Sequence, residues 1–106
     1  MIFINNNIKY NLGKNAKENF ILLDNADKED WWFHLDNYSS AYCIVESKNL
    51  NEEMIIFASN LVKNSKKDIK LKDKKVKIIY TQVKNIKKTK TLGMVTILSK
   101  PSEIYI

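Results

Sequence analysis

The chain has 106 residues, is 44% hydrophobic and 28% charged, and carries a formal net charge of +6. That is enough apolar material for one core and too little chain for two, so a second domain and general disorder are both excluded. The longest apolar run is residues 54–58, far short of the ~18 residues of a membrane span, and the N-terminus lacks the basic-then-apolar layout of a secretory leader.

In chain order, residues 1–4 and 8–12 read as two strands joined by Asn5-Asn6-Asn7, because asparagine tolerates the positive φ of a hairpin turn. Gly13 ends the second strand, and Asn15 has the spacing of a helix cap whose Glu18 reaches back to the cap amide. Phe20, Ile21, Leu22 and Leu23 give this short helix an apolar side before an acidic connector over residues 24–30. Residues 31–35, Trp-Trp-Phe-His-Leu, form an aromatic strand. Period two puts Trp31, Phe33 and Leu35 on one face and Trp32 and His34 on the other. A turn at residues 37–40 leads to a strand at 41–45, where lone Cys43 reads as a small buried apolar residue with no disulfide or metal-ligand companion.

The clearest helix is residues 52–66, with Asn51 as cap, Glu52 and Glu53 in the first turn, Lys63 and Lys66 at its end, and Met54, Ile55, Ala58, Leu61 and Val62 as its apolar stripe. A lysine-rich loop over 67–75 follows, then strands at 76–80, 94–98 and 104–106, with a polar, poorly periodic segment over 81–92. The predicted fold is α+β: one domain over residues 1–106, a largely antiparallel sheet packed with two helices.

Charge is unevenly spread. Residues 1–62 hold 5 lysines against 9 acids, net −4, whereas residues 63–90 hold 12 lysines against 2 acids, net +10. A neutral-to-acidic body with one basic region is the electrostatic footprint of a polyanion partner, most often nucleic acid, or else a solvated lysine face. All 18 cations are lysine, which meets phosphate as a flexible point charge and lacks the forked contact to guanine, so base identity is weakly read. Lys14, Asn15 and Lys17 sit where a helix N-terminus suits a phosphate. Lys84, Lys87, Lys88 and Lys90 follow a strand that ends in Tyr80, a ring able to stack on a base. Trp32 and His34 extend that surface where their strand face is open; the alternative is a covered face with His34 bonded to a backbone carbonyl. Gly13 and Gly93 are the only glycines, so no phosphate loop or dinucleotide fingerprint is present, and no activated nucleophile accompanies His34. The chain is read as a non-enzyme without cofactor or metal.

Four segments together carry a resemblance. Gly13-Lys14-Asn15-Ala16-Lys17-Glu18-Asn19, then Asp30 with Trp32-Phe33-His34, then Tyr80-Thr81-Gln82-Val83-Lys84-Asn85-Ile86-Lys87-Lys88, then Gly93-Met94-Val95, follow the order of the NFACT RNA-binding (NFACT-R) domain. The resemblance runs from residue 13 to the end of the chain. It implies an RNA-binding module, found at the C-terminal side of larger proteins that act with tRNA on stalled large ribosomal subunits, in ribosome-associated quality control. The chain resembles a standalone version, and Ser39-Ser40-Ala41 is closer to the short coiled-coil-containing eukaryotic relatives than to the Pro-Gly-Ser of the long proteins. Where the family commonly has a histidine after that turn, this chain has Tyr42, which removes a histidine pair and any metal or acid-base role needing both imidazoles. The expected partner is tRNA or rRNA in the cytoplasm. A protein partner docked through a sheet edge or the aromatic face, on the ribosome or another assembly, and DNA are the alternatives.

Overall fold

The computed structural model describes residues 1–66 and 74–106. Six strands form one antiparallel sheet in the order β1 (Ile2–Asn5), β2 (Ile8–Leu12), β4 (Cys43–Val45), β3 (Trp31–Leu35), β5 (Lys77–Gln82) and β8 (Ser102–Tyr105). Strands β6 (Ile86–Lys88) and β7 (Val95–Ile97) pair only with each other, as a separate two-stranded ribbon. Helices α1 (Ala16–Asn25) and α2 (Glu52–Ser65) complete an α+β domain, as the sequence predicts.

The local chemistry explains the element ends. Asn6 and Asn7 take φ of 50° and 64° in the β1–β2 turn, and Asn37 takes 62° after β3. The Asn15 and Asn51 side chains accept from the amides of Glu18 and Met54, capping both helices. Glu18 does not close the expected capping box: its carboxylate lies 3.6 Å from the Met1 amino group. Of the expected lysine-rich loop, residues 67–73 lie outside the described residues; Lys74 and Lys75 are exposed.

The central strand β3 serves two cores. Phe33 and Leu35 join Tyr10, Cys43, Val45 and Ile78 beneath Met54, Ala58 and Val62 of α2, with Trp31 against the same cluster. Trp32 joins Tyr42, Ile44, Ile79 and Val83 on the opposite face, beneath Leu23 and Phe20 of α1 and beneath Ile86, Val95 and Ile97 of the ribbon. A strand buried on both sides reads as a continuous apolar run, which is why residues 31–35 contain only one polar residue. Burial of such side chains is worth ~1.5–3 kcal/mol each, so the two clusters dominate stability.

One buried amide ties α1 to the sheet. The Asn19 side chain accepts from the Tyr42 amide at 3.1 Å and donates to the Ser40 carbonyl at 3.3 Å. A Cβ on Gly13 would lie 1.9 Å from Asn19 Oδ1, so a glycine there is a condition of that bridge. Asn19→Ala is therefore expected to destabilise the domain by about 1–3 kcal/mol, the cost of orphaned buried polar groups. Gly13→Ala should be clearly destabilising in the wild type and milder in the Asn19→Ala background, a coupling that a double-mutant cycle of urea unfolding curves measures directly.

Candidate nucleic-acid interface

Strand β2 ends at Leu12, Gly13 donates to the Tyr42 carbonyl at 3.0 Å, and the chain turns into α1. This junction holds Lys14 and Lys17, both exposed, at the positive end of the helix dipole. Asn15 is exposed, and its side-chain oxygen is committed to the Glu18 amide.

The ribbon lies over α1. Gly93, at φ +84°, brings its α-carbon so close to Ala16 that an added Cβ would meet the Ala16 methyl at 2.8 Å. The Gly93 carbonyl accepts from the Tyr42 hydroxyl at 2.6 Å. Lys88 Nζ lies 2.5 Å from the Asp24 carboxylate and 5.5 Å from the centre of the Phe20 ring. The tip of the ribbon thus meets the first turn of α1, and Lys88, at the tip end of β6, reaches the last. Lys87 and Lys90 are exposed on this ribbon, whereas Lys88 is engaged by Asp24. Lys84 is exposed on the 3-10 turn Val83–Asn85, where its amide donates to the Lys28 carbonyl, beside the acidic turn at residues 27–30.

Not every cation is available. Lys77 bridges Asp36 at 3.4 Å and Glu103 at 3.1 Å, Lys63 donates to the carbonyls of Lys74 and Ile106, and Lys66 donates to that of Ser39. Lys14, Lys17, Lys84, Lys87 and Lys90 are exposed without an ion pair among the described residues, as are Lys28, Lys48, Lys74, Lys75 and Lys100.

Two of the expected aromatic contacts need correction. Tyr80 does not stand beside the lysines that follow it: its ring stacks on Phe33 at 4.9 Å and tilts against Trp31 at 6.2 Å, on the α2 face. Period two explains this, since Ile79 faces the ribbon and its neighbour must face away. Trp32 is only 1% exposed, covered by α1, the ribbon and Tyr42, and has no ring face to offer a base.

His34 stays half-buried on the floor of a broad open cleft of about 1680 Å³. The cleft runs between the β3–β4 loop and the ribbon tip, with Gly13 to Ala16 at one end. The imidazole stacks on Trp32 at 5.5 Å and 19°, and meets Tyr42 edge-on at 5.2 Å. Burial drives its pKa down from 6.5 to about 4, against the opposing pull of Asp36, so His34 is a neutral ring at physiological pH. Tyr42 stands where the family's second imidazole is expected, and burial pushes its phenol up to about 12, keeping it protonated as a donor to Gly93.

Sequence reasoning left out Asn19, the Tyr42 hydroxyl, Tyr38 and Lys66, all of which shape this cleft. A signal existed for Asn19, a polar residue on the apolar side of a helix with only ten residues; the others come together only through tertiary contacts. His34 is the only histidine, so its ring resonances report it without assignment ambiguity. In the folded protein they should not titrate between pH 8 and 5. As pH falls below 6.5 the unfolded chain takes up this proton first, so stability should decline down to about pH 4 and level off there, by about 3 kcal/mol at most. That component should vanish in His34→Phe, measured by urea unfolding across pH.

Comparison with known proteins places the domain. A family model described as the NFACT protein RNA binding domain matches residues 3–97. Coiled-coil domain-containing protein 25 from Bos taurus and from Mus musculus is 33% identical over 85 residues, covering 74% of this chain and 40% of each relative. The chain thus spans about 40% of the length of these curated relatives. The C-terminal part of the fibronectin/fibrinogen-binding protein from Streptococcus suis shares the fold, with a TM-score of 0.87 at 18% identity over 99% of this chain and 43% of that one. The family is one of RNA-binding rather than catalytic domains, and with residues 3–97 matched to its model, this chain belongs to the NFACT protein RNA binding domain family, which supports a general RNA-binding role for it.

Proposed function

We propose that this domain is a non-catalytic binder of structured RNA, either tRNA or ribosomal RNA, working in ribosome-associated quality control in the cytoplasm. The observation that carries the reading is the seating of the β6–β7 ribbon on α1. It sets Lys14 and Lys17 at one end of the helix and Lys87 and Lys90 on the ribbon that lies over it, on the sheet face opposite α2, with Lys84 on the turn that leads into the ribbon. α1 has ten residues and is therefore about 15 Å long, a length over which an RNA backbone presents a few phosphates. Binding is electrostatic and shape-directed, because lysine contributes charge without base readout.

Acids bound the surface on one side. Asp27, Glu29, Asp30 and Glu46 line a second cleft at the far end of α1, which disfavours a phosphate there. A protein-adaptor role is the second reading. It is favoured by Ile2 and Ile4, which are 58% and 72% exposed on the edge strand β1, where an extended peptide can add as a strand.

The test is a titration with tRNA at several salt concentrations. Lys14→Ala/Lys17→Ala and Lys84→Ala/Lys87→Ala should each weaken binding and each reduce the slope of log affinity against log salt by about 1.4–1.8, at roughly 0.7–0.9 for each phosphate no longer neutralised. Unchanged affinity and slope in both variants would remove this face from the site. Equal competition by duplex DNA at matched phosphate concentration would move the reading from RNA to nucleic acid in general, and capture of a partner that resists nuclease and moderate salt would favour the adaptor.

A further inference from the structure

The cleft over His34 differs in kind from the lysine-bearing surface beside it. Its floor is apolar and uncharged: His34, Trp32, Tyr42 and Ile79. Its sides carry exposed apolar side chains, Leu92 at 55% and Met94 at 59% on the ribbon tip and Tyr38 at 46% on the β3–β4 loop. Three exposed apolar side chains gathered around one cleft make a patch rather than scattered single residues, and such a patch marks a contact site. Cations stand at the rim, Lys14 at the start of α1 and Lys66 at the end of α2, where it holds the Ser39 carbonyl at 3.0 Å. Among the described residues the single carboxylate lining the cleft, that of Asp36, is paired with Lys77 at 3.4 Å.

A neutral cleft floored by the His34 imidazole, with apolar sides and a cationic rim, is complementary to a nucleobase with its own phosphate. Resting on the RNA reading above, we infer that this cleft receives a single unpaired nucleobase of the bound RNA, its ring between the ribbon tip and Tyr38 and its phosphate toward Lys14. A duplex has no such base to give, since its rings are stacked inside the helix, whereas loops, bulges and ends do. The neutral imidazole of His34 has one donor and one acceptor nitrogen, and so can meet a base edge without favouring a second phosphate. The lysines then supply attraction to any RNA, and the cleft selects for a splayed base.

The experiment compares three RNA hairpins with one common stem, by fluorescence anisotropy against the intact chain at fixed salt. The first stem is fully paired, the second carries one bulged adenosine, and the third has an abasic sugar at the bulge. The bulged hairpin should bind roughly tenfold tighter than the paired one, in the range expected for one stacked base, and the abasic hairpin should fall back to the paired level. Leu92→Ala/Met94→Ala should abolish this preference while leaving affinity for the paired hairpin unchanged, and Tyr38→Ala should reduce it; unaltered circular dichroism and melting temperature certify both folds. Equal binding of all three hairpins, with a salt slope still sensitive to Lys14→Ala/Lys17→Ala, would overturn the cleft and keep the RNA reading. Failure of every hairpin and of tRNA to bind would overturn both.

Discussion

The bridge made by Asn19 is the constraint on which the rest of this domain depends. A carboxamide with one donor and one acceptor in use spans from α1 to the amide of Tyr42 and the carbonyl of Ser40, and the missing side chain of Gly13 makes room for it. Through that one group the helix is registered against the start of β4. Tyr42 is thereby positioned to present its edge to His34 and its hydroxyl to Gly93, which sets the ribbon over the helix. Glycine and asparagine six positions apart are thus linked by sterics, and the same link aims the first turn of α1 at the cleft.

Strand β3 shows how one short sequence separates structural from surface roles. Its α2-facing residues are packed into a dense core, and on the other face Trp32 is sealed while His34, two residues later, reaches the cleft. The indole is the platform that holds the imidazole, and the cost of covering both rings is met by depriving His34 of its charge. Cations are sorted in a comparable way. Those of the sheet and of α2 are tied to carboxylates and carbonyls, as is Lys88 on the ribbon, while Lys14 and Lys17 at the start of α1 and Lys87 and Lys90 on the ribbon face solvent.

Much of the architecture was legible in the sequence. Strand periodicity and the asparagine-rich turn give β1, β2 and β3 with ends within a residue or so, and the caps Asn15 and Asn51 place both helices. Residues 81–92 were not legible, because β5 continues to Gln82 and then breaks into a 3-10 turn and a three-residue strand, too short for any period to register. The site is legible only in part for a related reason. Residue type marks lysines and aromatics as candidates, but only the sheet decides which face each reaches. Tyr80 and Ile79 are adjacent in the chain and belong to opposite cores, and the engagement of Lys77 and Lys88 by Asp36 and Asp24 rests on partners 41 and 64 positions away.

The ribbon β6–β7 shares no ladder with the six-stranded sheet. Its attachment is through side chains: three apolar residues on the second core, the Lys88 carboxylate contact and the Tyr42 phenol at its tip. The seating of an element held in that manner depends on side-chain contacts alone and on no hydrogen bond of the main-sheet ladders. The domain is thus a palm with a thumb laid across it by side-chain packing, and the thumb is the part that carries Lys87, Lys90, Leu92 and Met94.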